Sequence, residues 1–392
     1  MENAIKFLRI QNFKSIKDVT LHPRRVNLII GESNVGKSNL LEAMTLLGSI
    51  TYEPTERFLG SFIRYEEPRQ LFYDNLVGNT IKVETDKDVA TVLFDKKAKR
   101  FTYLYCDVAY FTHLSGILPE DSGEIGLTSV AQVALSNLPS AWDLWHWEGL
   151  AKETKVLRSA FDVHGYNIKD EDPDAVVSRH EAVVGSKAKR YDFLKSSAWD
   201  EETGYTHLAP PHGSNLIEVI QTHAPLRQEI GKMFERYGQK LNLRVDERKL
   251  EVVKEQEGMT YSYPYSSVAD TLQRIIFYLA AIESNTDAVL LFEEPEAHSF
   301  PVYVARLGRR IVESRSNQFF IDTHSPYLVT EVLERMLPDE KQAGELAIFA
   351  AYYDDHQTKL HQLSDEEIRS IREDGIDVFY NMKRFTTGAA DA

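Results

Sequence analysis

An α/β fold built on a parallel sheet is predicted by three apolar runs, each of which ends abruptly in polar groups. Val26–Ile30 leads into Gly31-Glu-Ser-Asn-Val-Gly-Lys-Ser-Asn39, Ala288–Phe292 into Glu293-Glu-Pro-Glu296, and Phe319–Ile321 into Asp322-Thr-His-Ser-Pro326. Parallel strands buried on both faces read as continuous apolar runs, and open α/β sheets bind ligands at the carboxyl ends of their strands. The three runs therefore predict a doubly wound sheet whose functional groups gather along one edge, with an antiparallel β subdomain and a helical insertion completing the chain.

The first run carries the most specific signal. Residues 31–38 fit G-x-x-x-x-G-K-[ST] between a predicted strand and an apolar-periodic helix over Asn39–Leu47, the context that gives this pattern meaning. Gly31 and Gly36 let the backbone curl so that successive N–H groups point inward, and the following helix N-terminus adds its dipole, which makes a cradle for polyphosphate. Gly31, Ser33, Asn34, Val35, Gly36, Lys37, Ser38 and Asn39 form the expected phosphate-contacting set. Lys37 is expected to reach the β- and γ-phosphates, and the Ser38 hydroxyl to sit on Mg²⁺. A plain glycine turn with a solvated lysine is the competing reading, and the strand–loop–helix context disfavours it.

The second and third runs supply the chemistry. Glu293 is expected to hold Mg²⁺, mostly through its water shell, and Glu294 to orient or deprotonate an attacking water. His324 lies 30 positions after Glu294 (324 − 294). A neutral imidazole there can hydrogen-bond a terminal phosphate and sense its loss. Each also has a bland reading, an inert acidic turn or a structural histidine, which the intact phosphate loop makes the weaker one.

Four segments in order, Phe7-Leu-Arg-Ile-Gln-Asn-Phe-Lys-Ser-Ile16, the phosphate loop, Glu-Glu-Pro-Glu and Thr-His-Ser-Pro, resemble the ABC-type ATPase head of the RecF, SMC and OLD kind. The likeness is nearest to stand-alone AAA-family ATPases grouped with OLD proteins in bacterial anti-phage defence, and it covers roughly residues 1–110 and 205–365. It implies a P-loop NTPase fold that uses ATP and Mg²⁺, with Glu294, His324 and Lys37 catalytic and Lys14 a further nucleotide contact. It also implies a homodimer or higher even oligomer in which ATP is sandwiched between head-to-tail copies. The signature element that would complete the partner's site falls in Ser266–Arg274, where Ala269 and Thr271 replace the usual serine and glycine. Ser267 is a candidate substitute beside Asp270, and a helix-capping turn without a nucleotide role stays open. OLD-type nucleases add a metal-dependent TOPRIM domain, for which the 68 residues after His324 (392 − 324) leave no room.

Composition narrows the remaining choices. The 392 residues are enough for one large or two ordinary domains, and the spacing of motifs divides them into 1–110, 111–205, 206–285 and 286–392. A net charge of -15 opposes uniform attraction to nucleic acid, so DNA stays open as a partner only through a local basic groove. A single cysteine, Cys106, excludes an internal disulfide framework and a cysteine metal cluster. No apolar stretch has the length of a signal peptide or membrane span, which points to the cytoplasm and to no membrane partner.

Along the chain, alternating segments at Thr80–Thr85, Val89–Phe94 and Phe101–Val108 predict an antiparallel sheet. The stretch 110–205 reads as helical and irregular, with loops at Lys169–Asp174 and Ala198–Gly204. Two helices follow Asn215, the second with Leu226, Ile230, Met233, Phe234 and Tyr237 on one face, and Leu272, Ile275, Ile276, Leu279 and Ile282 mark a later buried helix face. No sustained heptad run exists, so a long coiled-coil arm is not expected. Trp142, Trp145 and Trp147 are read as packing rather than base stacking, Lys96–Arg100 and Lys187–Arg190 as solvated turns, and Asp354–Asp355 as a hairpin turn. Two functions remain. One is an ATP-driven sensor that gates a separate effector protein by switching head dimerisation; the other is a RecF-like ATPase acting directly on DNA, and salt-dependent DNA affinity of the isolated protein distinguishes them.

Overall fold

In the computed structural model, which describes residues 1–52, 55–109, 111–112, 156–168, 188–195 and 204–386, the chain opens with an antiparallel hairpin. Its strands are Leu8–Phe13 (β1) and Ile16–Leu21 (β2), and it delivers the chain to Val26–Gly31 (β3), buried at all six positions, and to the helix Lys37–Thr45 (α1). Ile81–Thr85 (β4), Asp88–Asp95 (β5), Arg100–Asp107 (β6) and Val156–Phe161 (β7) then extend the hairpin into a six-stranded antiparallel sheet in the order β2-β1-β4-β5-β6-β7. The three strands expected between Thr80 and Val108 are β4 to β6.

Ala188–Tyr191 (β8) joins a second sheet instead. Two helices, Leu216–Thr222 (α2) and Ala224–Glu235 (α3), lead to a three-stranded antiparallel sheet of Lys240–Arg244 (β9), Lys249–Gln256 (β10) and Met259–Pro264 (β11). The long helix Asp270–Ser284 (α4) precedes Val289–Glu293 (β12), Pro301–Glu313 (α5), Gln318–Asp322 (β13) and Pro326–Met336 (α6). The hairpin Leu346–Asp354 (β14) and Gln357–Gln362 (β15) follows, turning through Asp355 and His356, both at positive φ (49° and 57°), as a two-residue type I′ connection requires.

The second sheet has the order β15-β14-β3-β13-β12-β8, parallel throughout except for the β14–β15 edge. Its residues alternate between two cores. Leu28, Ile30, Leu290, Phe292, Phe319 and Ile321 face a cluster with α4, α5 and α6, whereas Ile29, Leu291, Phe320 and Phe349 face one shared with α1 and the antiparallel sheet. Covering both faces is what lets the central strands carry apolar residues on both sides. All five residues expected on the buried face of α4 are buried, and of the five expected on α3 only Tyr237, just past the helix end, is exposed.

Three sequence expectations change. Where residues 111–205 are described they include strand, since β7 extends the antiparallel sheet and β8 the parallel one. The expected helices, the tryptophans 142, 145 and 147 and most of the two loops lie outside the described residues. Residues 188–190 are a buried strand rather than a solvated turn: Lys189 bonds Asn285 Oδ1 at 2.7 Å, and Arg190 pairs with Glu293. The stretch 206–285 contains a sheet as well as helices, hidden because β11 is exposed at all six positions and so shows no apolar run. No helix among the described residues is long and apolar enough to cross a membrane.

Candidate active site

The loop between β3 and α1 is shaped by close approach at its two glycines. A Cβ on Gly31 would stand 2.5 Å from the backbone oxygen of Ala351 in the neighbouring strand, and Gly36 adopts φ 92° with the Thr358 hydroxyl where its Cβ would lie. A relay of hydrogen bonds fixes the curl. Asn39 Nδ2 donates to Ser15 Oγ (2.8 Å), the Ser15 and Thr358 hydroxyls meet at 2.6 Å, and Thr358 Oγ1 donates to the Val35 carbonyl (2.8 Å). Because Gly36 is the N-cap of α1 and has no side chain, no side-chain acceptor covers the first amides of the helix. They remain available to an anion.

Lys37 is 5% exposed, and its ammonium donates to the carbonyls of Glu32 (2.8 Å) and Gly31 (3.2 Å). Burial pushes its pKa down, against the opposing pull of Asp322, Glu294 and Glu293. One residue on, Ser38 Oγ lies 3.4 Å from Asp322 Oδ2. Glu293 and Asp322 are register partners at the ends of adjacent parallel strands, so both carboxylates emerge at the same level beside the loop. Burial raises Asp322 to about 7, opposed by Lys37 and reinforced by Glu293 and Glu294.

Beyond β12, Glu294 turns outward at φ 41°, its amide held by the Asp322 carbonyl (2.9 Å). Positive φ at a glutamate stores strain that the surrounding structure must maintain, a pattern that clusters at functional sites. Its Oε1 stands 3.5 Å from His324 Nε2, too far for a good hydrogen bond but close enough to share a water. Burial, then the charge of Lys37, lowers the His324 pKa, so its imidazole is neutral at neutral pH. Glu296 joins the two motifs by accepting from the Thr323 hydroxyl (2.6 Å) and the His324 amide (2.9 Å).

Behind this edge runs a chain of charges. Glu42, fully buried on α1, is paired with Lys14 and with Arg64 Nε (2.8 Å); Arg64 reaches on to Glu293 Oε1 (3.0 Å), and Arg190 holds Glu293 Oε2. Burial would raise the Glu293 pKa, but Arg190, Ser38 and Arg64 together hold it below the usual value. Lys14, expected at the nucleotide, has Glu42 and the Arg64 carbonyl (2.7 Å) as its partners, which places it in support of Arg64.

Within one chain the structure brings together Lys37, Ser38, Glu293, Glu294 and His324. It does not bring Ser267 and Asp270 to them. Ser267 donates to the Pro264 carbonyl (2.7 Å), Asp270 opens α4, and Thr271 donates to the His298 carbonyl (2.8 Å). Ser267 and Thr271 line a groove of about 840 Å³ with Tyr237, Tyr263, Phe300 and Tyr303.

Sequence reasoning missed Asp322, Arg64, Arg190 and Glu42. Asp322 had a signal, because it ends its apolar run as Glu293 ends its own. The arginines had none, since their partners lie 229 and 103 residues away. Among the described residues no group of three or more His, Cys, Asp or Glu could hold a metal by itself. Yet Asp322 Oδ1 is buried without a partner, close to the Ser38 hydroxyl. A hard cation that keeps most of its water suits such sparse oxygen ligation.

Residues 4–106 match the family described as AAA ATPase domain, and residues 164–330 the family described as AAA domain, putative AbiEii toxin, Type IV TA system. The two matches support an AAA-type ATPase. The phosphate loop lies in the first, and the Glu293 and His324 motifs in the second. No curated protein matches the sequence. Similar solved structures include an SMC head bound to the C-terminal winged-helix domain of ScpA (14% identity, covering 94% of this chain and 99% of that one, TM-score 0.46) and the SMC head domain from Thermotoga maritima (10%, 92% and 99%, 0.39). Another is an SMC head with an extended coiled coil bound to the C-terminal domain of ScpA, derived from Pyrococcus furiosus (14%, 94% and 98%, 0.42).

Proposed function

We propose that this protein binds and hydrolyses ATP with Mg²⁺, and that nucleotide binding pairs two copies head to tail to gate a separate effector protein. The observation that carries the reading is the convergence of Lys37, Ser38, Asp322, Glu293, Glu294 and His324 at one sheet edge, beside helix amides left uncovered. Ser38, Glu293 and Asp322 would hold Mg²⁺, which when bound neutralises phosphate charge. Lys37 exchanges its two carbonyl partners for phosphate oxygens. Glu294, about half exposed, accepts a proton from water on the side facing His324, whose neutral ring can donate a hydrogen bond. Strain and the Asp322 carbonyl fix its backbone for this role.

Pairing of copies is supported by the exposed groove that Ser267 and Thr271 line with Tyr237, Tyr263 and Phe300, to which no residue of the phosphate loop contributes and which a second copy would meet. A place in anti-phage defence is supported by the sequence likeness to OLD-associated ATPases and by the AbiEii toxin description of the second matched family. Mg²⁺-dependent ATP hydrolysis, measured with light scattering on wild type and Glu294→Gln, tests the reading. Wild type should turn over ATP; Glu294→Gln should bind it, hydrolyse it slower by a factor on the order of 10² or more, and persist as an ATP-bound dimer. Wild-type turnover in Glu294→Gln would refute the assignment of the base.

A further inference from the structure

Both oxygens of Glu293 already have cationic partners, Arg64 on Oε1 at 3.0 Å and Arg190 on Oε2. The two arginines are unequal. The Arg190 side chain is 3% exposed and sits on β8, whose backbone is paired with β12 beside Leu291, and its other terminal nitrogen donates to the Phe62 carbonyl. The Arg64 side chain is 66% exposed, and its other carboxylate partner, Glu42, is also paired with Lys14. If Arg64 swings into water, Glu42 keeps Lys14 and Glu293 keeps Arg190. Loss of Arg190 instead leaves a largely buried carboxylate with only an exposed partner, the costly way to break such a pair.

We propose that Arg64 is an exchangeable counter-ion that closes one oxygen of Glu293 against divalent cations, while Arg190 is a fixed positioning residue that holds the other. The inference rests on the reading of Glu293 as a metal-site carboxylate. A divalent cation approaching Oε1 meets a guanidinium there and is repelled by it, so the site accepts the cation only as Arg64 leaves. Replacement of one positive group by another at that oxygen keeps the buried acid compensated throughout. Competition of this kind lowers metal affinity in proportion to the time Arg64 spends bound. Lys14 serves the exchange by keeping Glu42 paired after Arg64 has gone.

The test is Mn²⁺ binding by the purified full chain with ADP, read from loss of the free-ion electron paramagnetic resonance signal, with no turnover required. Arg64→Gln should bind Mn²⁺ more tightly than wild type, by about tenfold. Arg190→Gln should bind it about tenfold more weakly, and Arg190→Lys should recover much of the loss, which a purely structural role would not give. The Arg64 variant, on an exposed side chain, decides the proposal even if Arg190→Gln does not fold. Arg64→Gln with wild-type or weaker Mn²⁺ affinity, while Glu293→Gln abolishes binding, overturns the counter-ion proposal alone. Glu293→Gln with undiminished Mn²⁺ binding overturns the metal-site reading beneath it.

Discussion

Lys37 and Phe300 mark two contrasting regions. Lys37 is 5% exposed with its ammonium on two carbonyls, and the loop around it is pinned by Asn39, Ser15 and Thr358. Phe300 is 68% exposed, and with Tyr237, Tyr263 and Val302, each about half exposed, it borders the groove that holds Ser267 and Thr271. One region is finished within the chain; the other presents apolar surface of the sort that marks interaction sites. The contrast teaches that the loop around Lys37 is held in shape by bonds within the single copy, whereas the groove beside Ser267 and Thr271 leaves its aromatic surface uncovered.

Lys37→Ala should break the contrast most strongly. Fluorescent-nucleotide titration is expected to show affinity lower by on the order of 10²-fold, with little change in Tm, because the buried lysine bonds only two loop carbonyls that water can satisfy. Gly36→Ala attacks the loop's shape instead. Positive φ and the Thr358 hydroxyl both oppose the new methyl, so denaturant unfolding should show a loss of about 1–3 kcal/mol together with weaker nucleotide binding. If both properties are unchanged, the loop is not held as the hydrogen bonds suggest.

On the open side, Phe300→Glu should leave the nucleotide affinity of the single copy within about twofold while weakening ATP-dependent pairing by about tenfold, as followed by analytical ultracentrifugation in the Glu294→Gln background. Undiminished pairing would remove the groove from the contact. The smallest effect is expected at His207, between Tyr52 and Tyr205, where burial and then the charge of Lys189 lower the pKa to about 4. The unfolded chain takes up this proton first as pH falls from about 6.5, so the stability His207 contributes is present above that pH and is lost toward pH 4. His207→Phe should therefore flatten the dependence of Tm on pH in that window, and an unaltered slope would show that the imidazole titrates normally.

Several features of the site were legible because their causes are local. A central parallel strand buried on both faces is largely apolar, so β3, β12 and β13 could be read from their apolar runs, and Glu293 at the end of β12 marked the candidate edge. A hairpin turn at Asp354–Asp355 could be read between two strand-like segments for the same reason, one residue before the Asp355–His356 turn of the structure. The three-stranded sheet was less legible, because Met259–Pro264 alternates in sequence but is exposed on both faces, so no apolar run marks it.

The sequence by itself determined the glycine loop between β3 and α1, the apolar strands that end in acidic residues and the buried face of α4, since each is specified by neighbours a few positions apart. Only the tertiary structure decided that Ala188-Lys-Arg-Tyr191 is a buried strand of the parallel sheet, that Glu42 lies inside, and that Asp322 sits under Ser38. Charged residues enter a core only when partners meet them there. Lys189 finds Asn285, Arg190 finds Glu293 and Glu42 finds Lys14 and Arg64, partners from separate elements of the chain, and no local pattern encodes such meetings.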